Sequence, residues 1–301
     1  MQEAAASAAF RGKVRVSILS KALAGSGRKE QRLTYCLGIM THQGLVMASD
    51  SRTNAGYDQV NVCRKMHTFV HPGERAFVLL TSGGLSLTQS VVTLLRDEFR
   101  EGLGLAKADT MYQAARAVGD CVRRVSDMDR AALERDDFSF NINLLLGGQV
   151  KSERPCLYLI YPQGNPLSAT IDSPYLQIGE CKYGRPILDR GIEYGSTSLD
   201  VAAIYALLSF DAAMRSNVTV GPPIEMLLYR NDSLEFDCYR RFAADDPELA
   251  QMHRSWERSL RRAVEDLPKI HFSARHPDRH SVVHGPEQEI SSPAEPQGAA
   301  R

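Results

Sequence analysis

Two short apolar runs, Thr34 to Ile39 and Leu45 to Ala48, flank the polar, glycine-ended segment Thr-His-Gln-Gly, a pattern that predicts an antiparallel hairpin. Met66 to Val70 and Ala76 to Leu80 predict a second one around His71-Pro72-Gly73-Glu74, and its latter strand runs into Thr81-Ser82-Gly83-Gly84. A helix is expected after that glycine pair, with Val91, Val92, Leu94, Leu95 and Phe99 on its apolar face. Met111, Ala115, Val118, Val122 and Val125, three and four apart, predict another. Further strands are expected at Asn141 to Leu146, Cys156 to Tyr161 and Tyr175 to Ile178, with Gly147-Gly148 and Gly164-Asn165 as turns.

Val201 to Met214 is apolar on nearly every side, which predicts a helix covered on both faces. Met226 to Tyr229 and Leu234 to Tyr239 form a late hairpin turning at Asn231-Asp232-Ser233. The last helix is expected to take Asp246 as N-cap and Pro247 as its first residue, with Leu249, Met252, Trp256, Leu260 and Val264 as a buried stripe. From about Pro268 the chain is rich in proline, serine, glutamine and histidine without periodicity, so residues 268–301 read as a disordered tail. This order lacks the regular alternation of a doubly wound parallel sheet; antiparallel sheets covered by helices, an α+β architecture, fit it better.

At 301 residues and 43% hydrophobic, the chain can build a full core without metal or disulfide staples. Its longest apolar runs fall far short of the roughly 18 residues of a spanning helix, which argues against a membrane protein. Lysine plus arginine equal aspartate plus glutamate at 36 each, so the basic signal of a general nucleic-acid binder is missing. Residues 1–33 carry seven basic and two acidic side chains, which sets that leader apart from the remainder. Six scattered cysteines without C-x-x-C spacing, and no apolar signal stretch, point to a reducing cytoplasm.

Candidate chemistry gathers at Thr34 opening the first strand, Asp50 just past the second, Lys65 in Arg-Lys-Met-His, and the pair Gly83-Gly84. A threonine hydroxyl needs a base to become a nucleophile, and the α-amine of a first residue, with a pKa near ~7.7–8.0, supplies one. A nearby lysine favours the oxyanion, and an aspartate keeps that lysine charged and oriented. Glycines between a strand and a helix present N–H groups to a developing oxyanion, and the absence of a following Gly-Lys-Ser/Thr argues against a phosphate loop. Spacing alone leaves ordinary readings open for each: a strand start, a turn cap, a solvated charge. His276, His280 and His284 recur every four residues, but Pro277 and the surrounding composition favour a solvated tail over a metal site. Cys36 shares the face of Thr34 and reads as a buried small hydrophobe ahead of a second nucleophile.

Thr34-Tyr-Cys-Leu-Gly-Ile39, Gly44-Leu-Val-Met-Ala-Ser-Asp-Ser-Arg-Thr-Asn-Ala-Gly56, Arg64-Lys-Met-His67, Pro72-Gly-Glu-Arg75 and Tyr175-Leu-Gln-Ile-Gly-Glu180 together resemble the Anbu family of bacterial proteasome-like proteins, the ancestral beta subunits. Ser209-Phe-Asp211, Met214-Arg-Ser-Asn217 and Val220-Gly-Pro-Pro-Ile224 continue the resemblance, which covers about residues 34–265. It implies an N-terminal-nucleophile (Ntn) hydrolase fold, four αββα layers with helices outside two stacked antiparallel sheets. By position, Thr34 matches the nucleophile, Asp50 and Lys65 its charged partners, and Gly83 the oxyanion-hole donor. Thr53 and Asn54 match positions that hold the substrate backbone; Arg64 and Thr81 fall near the first specificity pocket, where an arginine favours acidic or polar side chains. Ser216 and Thr219 match an aspartate and a serine that support the nucleophile in the proteasome, and Glu180 another serine.

The resemblance also implies a self-assembling ring or spiral, a peptide or protein substrate, and no metal or organic cofactor. Operon neighbours resembling a transglutaminase and an ATP-grasp enzyme belong to the same expectation. Residues 1–33 precede Thr34, so as written it has no free amine. A start-site error is the first explanation, because Leu33 can be encoded by TTG or CTG, which initiate as methionine in bacteria. Propeptide autolysis, an organellar transit peptide and a permanently blocked subunit are the others. The reading is a threonine peptidase or amidohydrolase of residues 34–267; its rival is a noncatalytic scaffold with the same fold.

Overall fold

The computed structural model describes residues 34–54, 60–151, 153–236 and 238–271, the side chains of 53, 54, 60 and 61 excepted. The 1–33 leader, the three tail histidines and most of the expected tail therefore lie outside the described residues. The described residues fall into two units that divide between Glu257 and Arg258. In the first, β1 (Tyr35–Thr41) and β2 (Gly44–Asp50) form the expected hairpin, with Cys36 opposite Ser49 and Thr41 opposite Gly44. All fourteen residues of the two strands are buried, which is why both read as apolar runs.

They lie at the centre of a five-stranded antiparallel sheet with β10 (Tyr175–Gly179) on one side, and β11 (Ile224–Arg230) and then β12 (Cys238–Phe242) on the other. A second sheet runs in order β5 (Met66–His71), β6 (Arg75–Gly83), β7 (Ile142–Val150), β8 (Cys156–Ile160) and β9 (Pro166–Ser168). A small ribbon pairs β3 (Arg52–Asn54) with β4 (Val60–Val62).

The two sheets stack through Cys36, Leu45, Met47, Met66, Val78, Leu80, Leu145, Leu157 and Leu227. Helices α1 (Leu85–Arg100) and α2 (Met111–Arg135) cover the outside of the second sheet through Val91, Leu95, Val118, Val122 and Val125. Helices α3 (Arg185–Gly191) and α4 (Leu199–Ser216) cover the outside of the first through Leu188, Ala202, Ala206 and Phe210. The layer order is αββα. Thr110 caps α2 by accepting from the Gln113 N–H at 3.1 Å, and Ser198 caps α4 through Val201 at 3.3 Å.

Where the sheets meet they approach closely. A methyl placed on Gly38 or Gly147 would lie 2.9 or 2.7 Å from the Met47 sulfur, so these two glycines leave the room that Met47 fills. Gln149 joins the sheets, accepting from the Tyr229 hydroxyl at 2.6 Å and from the Asp232 N–H at 2.9 Å.

Several expectations need correction. Gly147-Gly148 is not a turn: β7 continues through it, and at Gly148 a side chain would meet the Ala76 carbonyl at 2.2 Å, so glycine there permits close strand pairing. Helix α4 is not covered on both faces, since Val201 and Ile204 are about half exposed, Ile204 in a groove of about 340 Å³ lined also by Leu228, Cys238 and Phe242. The second strand of the late hairpin starts at Cys238, because Leu234, held at φ 49°, and Phe236 fold back against Tyr229.

Asp246 does cap the last helix, α5 (Pro247–Glu265), accepting from Glu248 and Leu249 at 3.0 Å. Its stripe, however, contains no fully buried residue. Leu249 and Met252 pack partly on the core of the first unit, whereas Leu260 and Val264, in the second, are exposed.

Candidate active site

An antiparallel hairpin returns the end of β2 to the start of β1, and this alone brings Asp50 to Thr34 across sixteen residues of sequence. The Thr34 hydroxyl donates to Asp50 Oδ1 at 2.6 Å, and the Tyr35 N–H donates to the same oxygen at 3.0 Å. Lys65, in the segment leading into β5, adds a third donor: its Nζ lies 2.6 Å from Asp50 Oδ1 and 2.7 Å from the Arg52 carbonyl. Asp50 is fully buried and Lys65 nearly so. A charge pair taken out of water persists only when its hydrogen bonds are met, and these contacts meet those of Oδ1. Oδ2 has no partner among the described residues.

Thr81 acts from β6: its N–H donates to the Lys65 carbonyl at 3.0 Å and its hydroxyl to the same oxygen at 3.5 Å, fixing the backbone that carries the lysine.

On the other side of Thr34, its carbonyl accepts from the Glu180 N–H at 2.7 Å. This adds one hydrogen bond beyond the Tyr35–Gly179 pairing, where β10 ends with Gly179 at φ 86°. Glu180 is buried; its Oε2 accepts from Asn217 Nδ2 at 3.0 Å. Asn217 Oδ1 in turn accepts from the Thr219 hydroxyl at 2.6 Å and the Thr219 N–H at 2.9 Å. Thr219 thus joins this network, while Ser216 stays exposed on the last turn of α4. Asn217, missed from the sequence, takes its place because the chain leaves the helix there with φ −144° and turns the amide inward.

Gly83 ends β6 with φ 119°, and a side chain there would meet the Asn141 carbonyl at 2.2 Å. The Gly84 N–H is used on that same carbonyl, at 2.9 Å, and α1 begins immediately after. Thr53 and Asn54 lie on β3, opposite Asn61 and Val60. Arg64 is exposed, with its Nε 3.9 Å from Glu225 Oε1. Cys36 is wholly buried, and burial pushes its thiol far above the usual range, so it is a core residue rather than a thiolate nucleophile. His67 accepts from Arg96 at Nδ1, 3.1 Å away; burial, with Arg96 and Arg64 nearby, lowers its pKa to about 4. Tyr35 anchors β1 to the helices, its hydroxyl 2.6 Å from that of Ser209, which donates to the Gly184 carbonyl at 2.9 Å.

No family model matches the chain. Solved structures do: Anbu (ancestral beta-subunit) from Yersinia bercovieri is 42% identical, with 80% of this chain and all of that one covered and a TM-score of 0.74. A helical assembly of the Anbu complex from Pseudomonas aeruginosa gives 42% identity over 79% of this chain and 98% of that one, TM-score 0.75. Anbu from a Hyphomicrobium species gives 41% over 79% and 100%, TM-score 0.73. Among curated proteins, the proteasome subunit beta of Haloferax volcanii is 25% identical over 218 residues, 72% of this chain and 82% of its own length. With the αββα layers and a threonine opening the first strand, these likenesses lead to one assignment: the chain belongs to the Anbu family, ancestral beta subunits with the proteasome-type Ntn-hydrolase fold.

Proposed function

We propose that the protein is a self-assembling threonine hydrolase of peptide or amide bonds, working in the cytoplasm, with Thr34 as its nucleophile once Thr34 is the first residue. The observation that carries this reading is the buried chain Thr34 hydroxyl, Asp50, Lys65, closed at 2.6 Å on each side. The helical Anbu assembly supports self-association, and six unpaired cysteines among the described residues suit a reducing compartment.

In the proposed reaction the free α-amine takes the hydroxyl proton while Oγ1 attacks the substrate carbonyl carbon. Lys65, oriented by its contact with Asp50, and the backbone around Gly83 favour the oxyanion. The carbon–nitrogen bond breaks, the leaving amine receives the proton, and an ester on Thr34 remains. Water, losing its proton to the α-amine, then cleaves that ester. Glu180, steadied by Asn217 and Thr219, faces the amine side and orients it; Thr53 and Asn54 carry substrate backbone. No metal or organic cofactor enters these steps.

The test begins with the N-terminal sequence and intact mass of the protein from its native host. A chain starting at Thr34 is expected to hydrolyse peptide amides or esters, with Thr34→Ala lowering kcat/KM by about 10³-fold or more. A chain that keeps residues 1–33 and turns over nothing overturns the hydrolase reading in favour of a scaffold. That second reading rests on a specific observation: Glu180 stands beside the nucleophile strand where the resemblance leads one to expect a serine, and Ser216, where it leads one to expect an aspartate, is exposed.

A further inference from the structure

Besides Asp50 Oδ2, two buried polar atoms of β2 and β11 lack partners among the described residues: Ser49 Oγ and Glu225 Oε2. Both side chains are more than nine-tenths buried, Ser49 at 0% and Glu225 at 5% exposure. They stand directly opposite each other on β2 and β11, and Cys36 of β1 stands opposite Ser49. Alternation along β1 puts Cys36 on the face of Thr34, so this row extends sideways from the nucleophile between the two sheets. Strand spacing puts Glu225 roughly 10 Å from β1.

The row also meets Arg64, which the resemblance sets at the first specificity pocket. Arg64 approaches Glu225 only to 3.9 Å, beyond hydrogen-bond length, with its side chain 63% exposed. Arg241, opposite Glu225 on β12, is exposed as well. Among the described residues Tyr239 is the close partner, its hydroxyl donating to Glu225 Oε1 at 2.6 Å. Burial and the adjacent carboxylate raise the Tyr239 pKa to about 12, so the hydroxyl remains a donor at neutral pH.

The Glu225 carboxyl is thus buried, whereas the arginines near it are carried on long, solvated side chains. An exposed ion pair is cheap to open, and a buried acceptor without a hydrogen gains most from a new donor. We infer that the first specificity pocket takes a cationic or multiply hydrogen-donating substrate side chain, lysine or arginine before glutamine, which displaces Arg64 and donates to Glu225 Oε2 and Ser49 Oγ. This reverses the acidic preference that Arg64 suggests on its own. The inference rests on the proposed hydrolase reading for its placement, but binding of a side chain and cleavage of a bond are separable.

The experiment uses protein from the native host with its N-terminus determined. Blocked fluorescent peptides differing only in lysine, arginine, glutamine, aspartate or glutamate before the scissile bond are measured for equilibrium binding and, separately, for kcat/KM. Basic peptides are expected to exceed acidic ones at least tenfold. Glu225→Gln, which keeps the shape and the Tyr239 contact, is expected to remove that ratio, and Arg64→Ala to increase it. Ser49→Ala, which leaves the charge untouched, is expected to weaken the preference in part; its retained preference guards against misfolding of the Glu225 variant as the cause. Acidic preference that Arg64→Ala abolishes, or turnover without preference, overturns the pocket and leaves the hydrolase standing. Basic preference in binding with no turnover does the reverse. Equal binding of all peptides with no turnover overturns both.

Discussion

Asp50 serves three donors with one oxygen, so the hydroxyl of Thr34, the amide that follows it and the ammonium of Lys65 are oriented by a single atom. His67, two residues beyond Lys65, gives the neighbourhood a pH dependence of its own. The folded chain keeps it neutral down to about pH 4, whereas an unfolded histidine takes up its proton near ~6.5. Between these values the unfolded state binds more proton, so stability falls as the pH is lowered through that window. Denaturant melts from pH 7 to 4 are expected to lose up to about 3 kcal/mol from this group, and His67→Gln to flatten that part of the slope. An unchanged slope in the variant refutes the assignment. Thr34, Asp50 and Lys65 could be read from the sequence because each sits in a block whose residue types the chemistry and the resemblance both require. Asn217 and Glu225 could not: one depends on where a helix ends, the other on the register of a strand two places away from the nucleophile.

Elements carry these residues, and β6 is the most constrained of them near its end. Gly83 combines a left-handed φ with a carbonyl 2.2 Å from where a side chain would begin. Gly83→Ala is therefore expected to destabilise the fold by about 2–4 kcal/mol and to shift the Thr81 segment that holds Lys65. Chemical denaturation measures the first effect; a loss under 1 kcal/mol contradicts this account. Hairpins and helices with a clear period of two or of three to four, such as β1–β2 and α2, were legible. The errors fell where the period carries no information. A paired glycine marks a turn and a tight strand crossing alike, and an all-apolar helix such as α4 does not reveal how much of it is covered. Short elements, β3, β4, β9 and α3, were missed because three to seven residues define no period.

At the scale of the whole molecule, the Thr34, Asp50 and Lys65 cluster is carried by strand ends and the segments next to them rather than by the helices that flank the sheets. Assembly and chemistry should then separate. Sedimentation of the host-derived protein is expected to give a particle much larger than the 33.3 kDa chain, and Thr34→Ala the same particle. A monomer in both refutes self-assembly; a monomer only in the variant ties assembly to the nucleophile. The narrowest part of the sandwich has a different consequence. Met47 fills the space that Gly38 and Gly147 leave, without exposure to water. An oxygen added to its sulfur would be both polar and oversized there, and oxidants reach that sulfur only while the chain is open. The folded protein is thus protected from peroxide at this position, whereas a chain oxidised during synthesis or after unfolding cannot close until a reductase restores the thioether: its redox history is recorded as whether it can close at all.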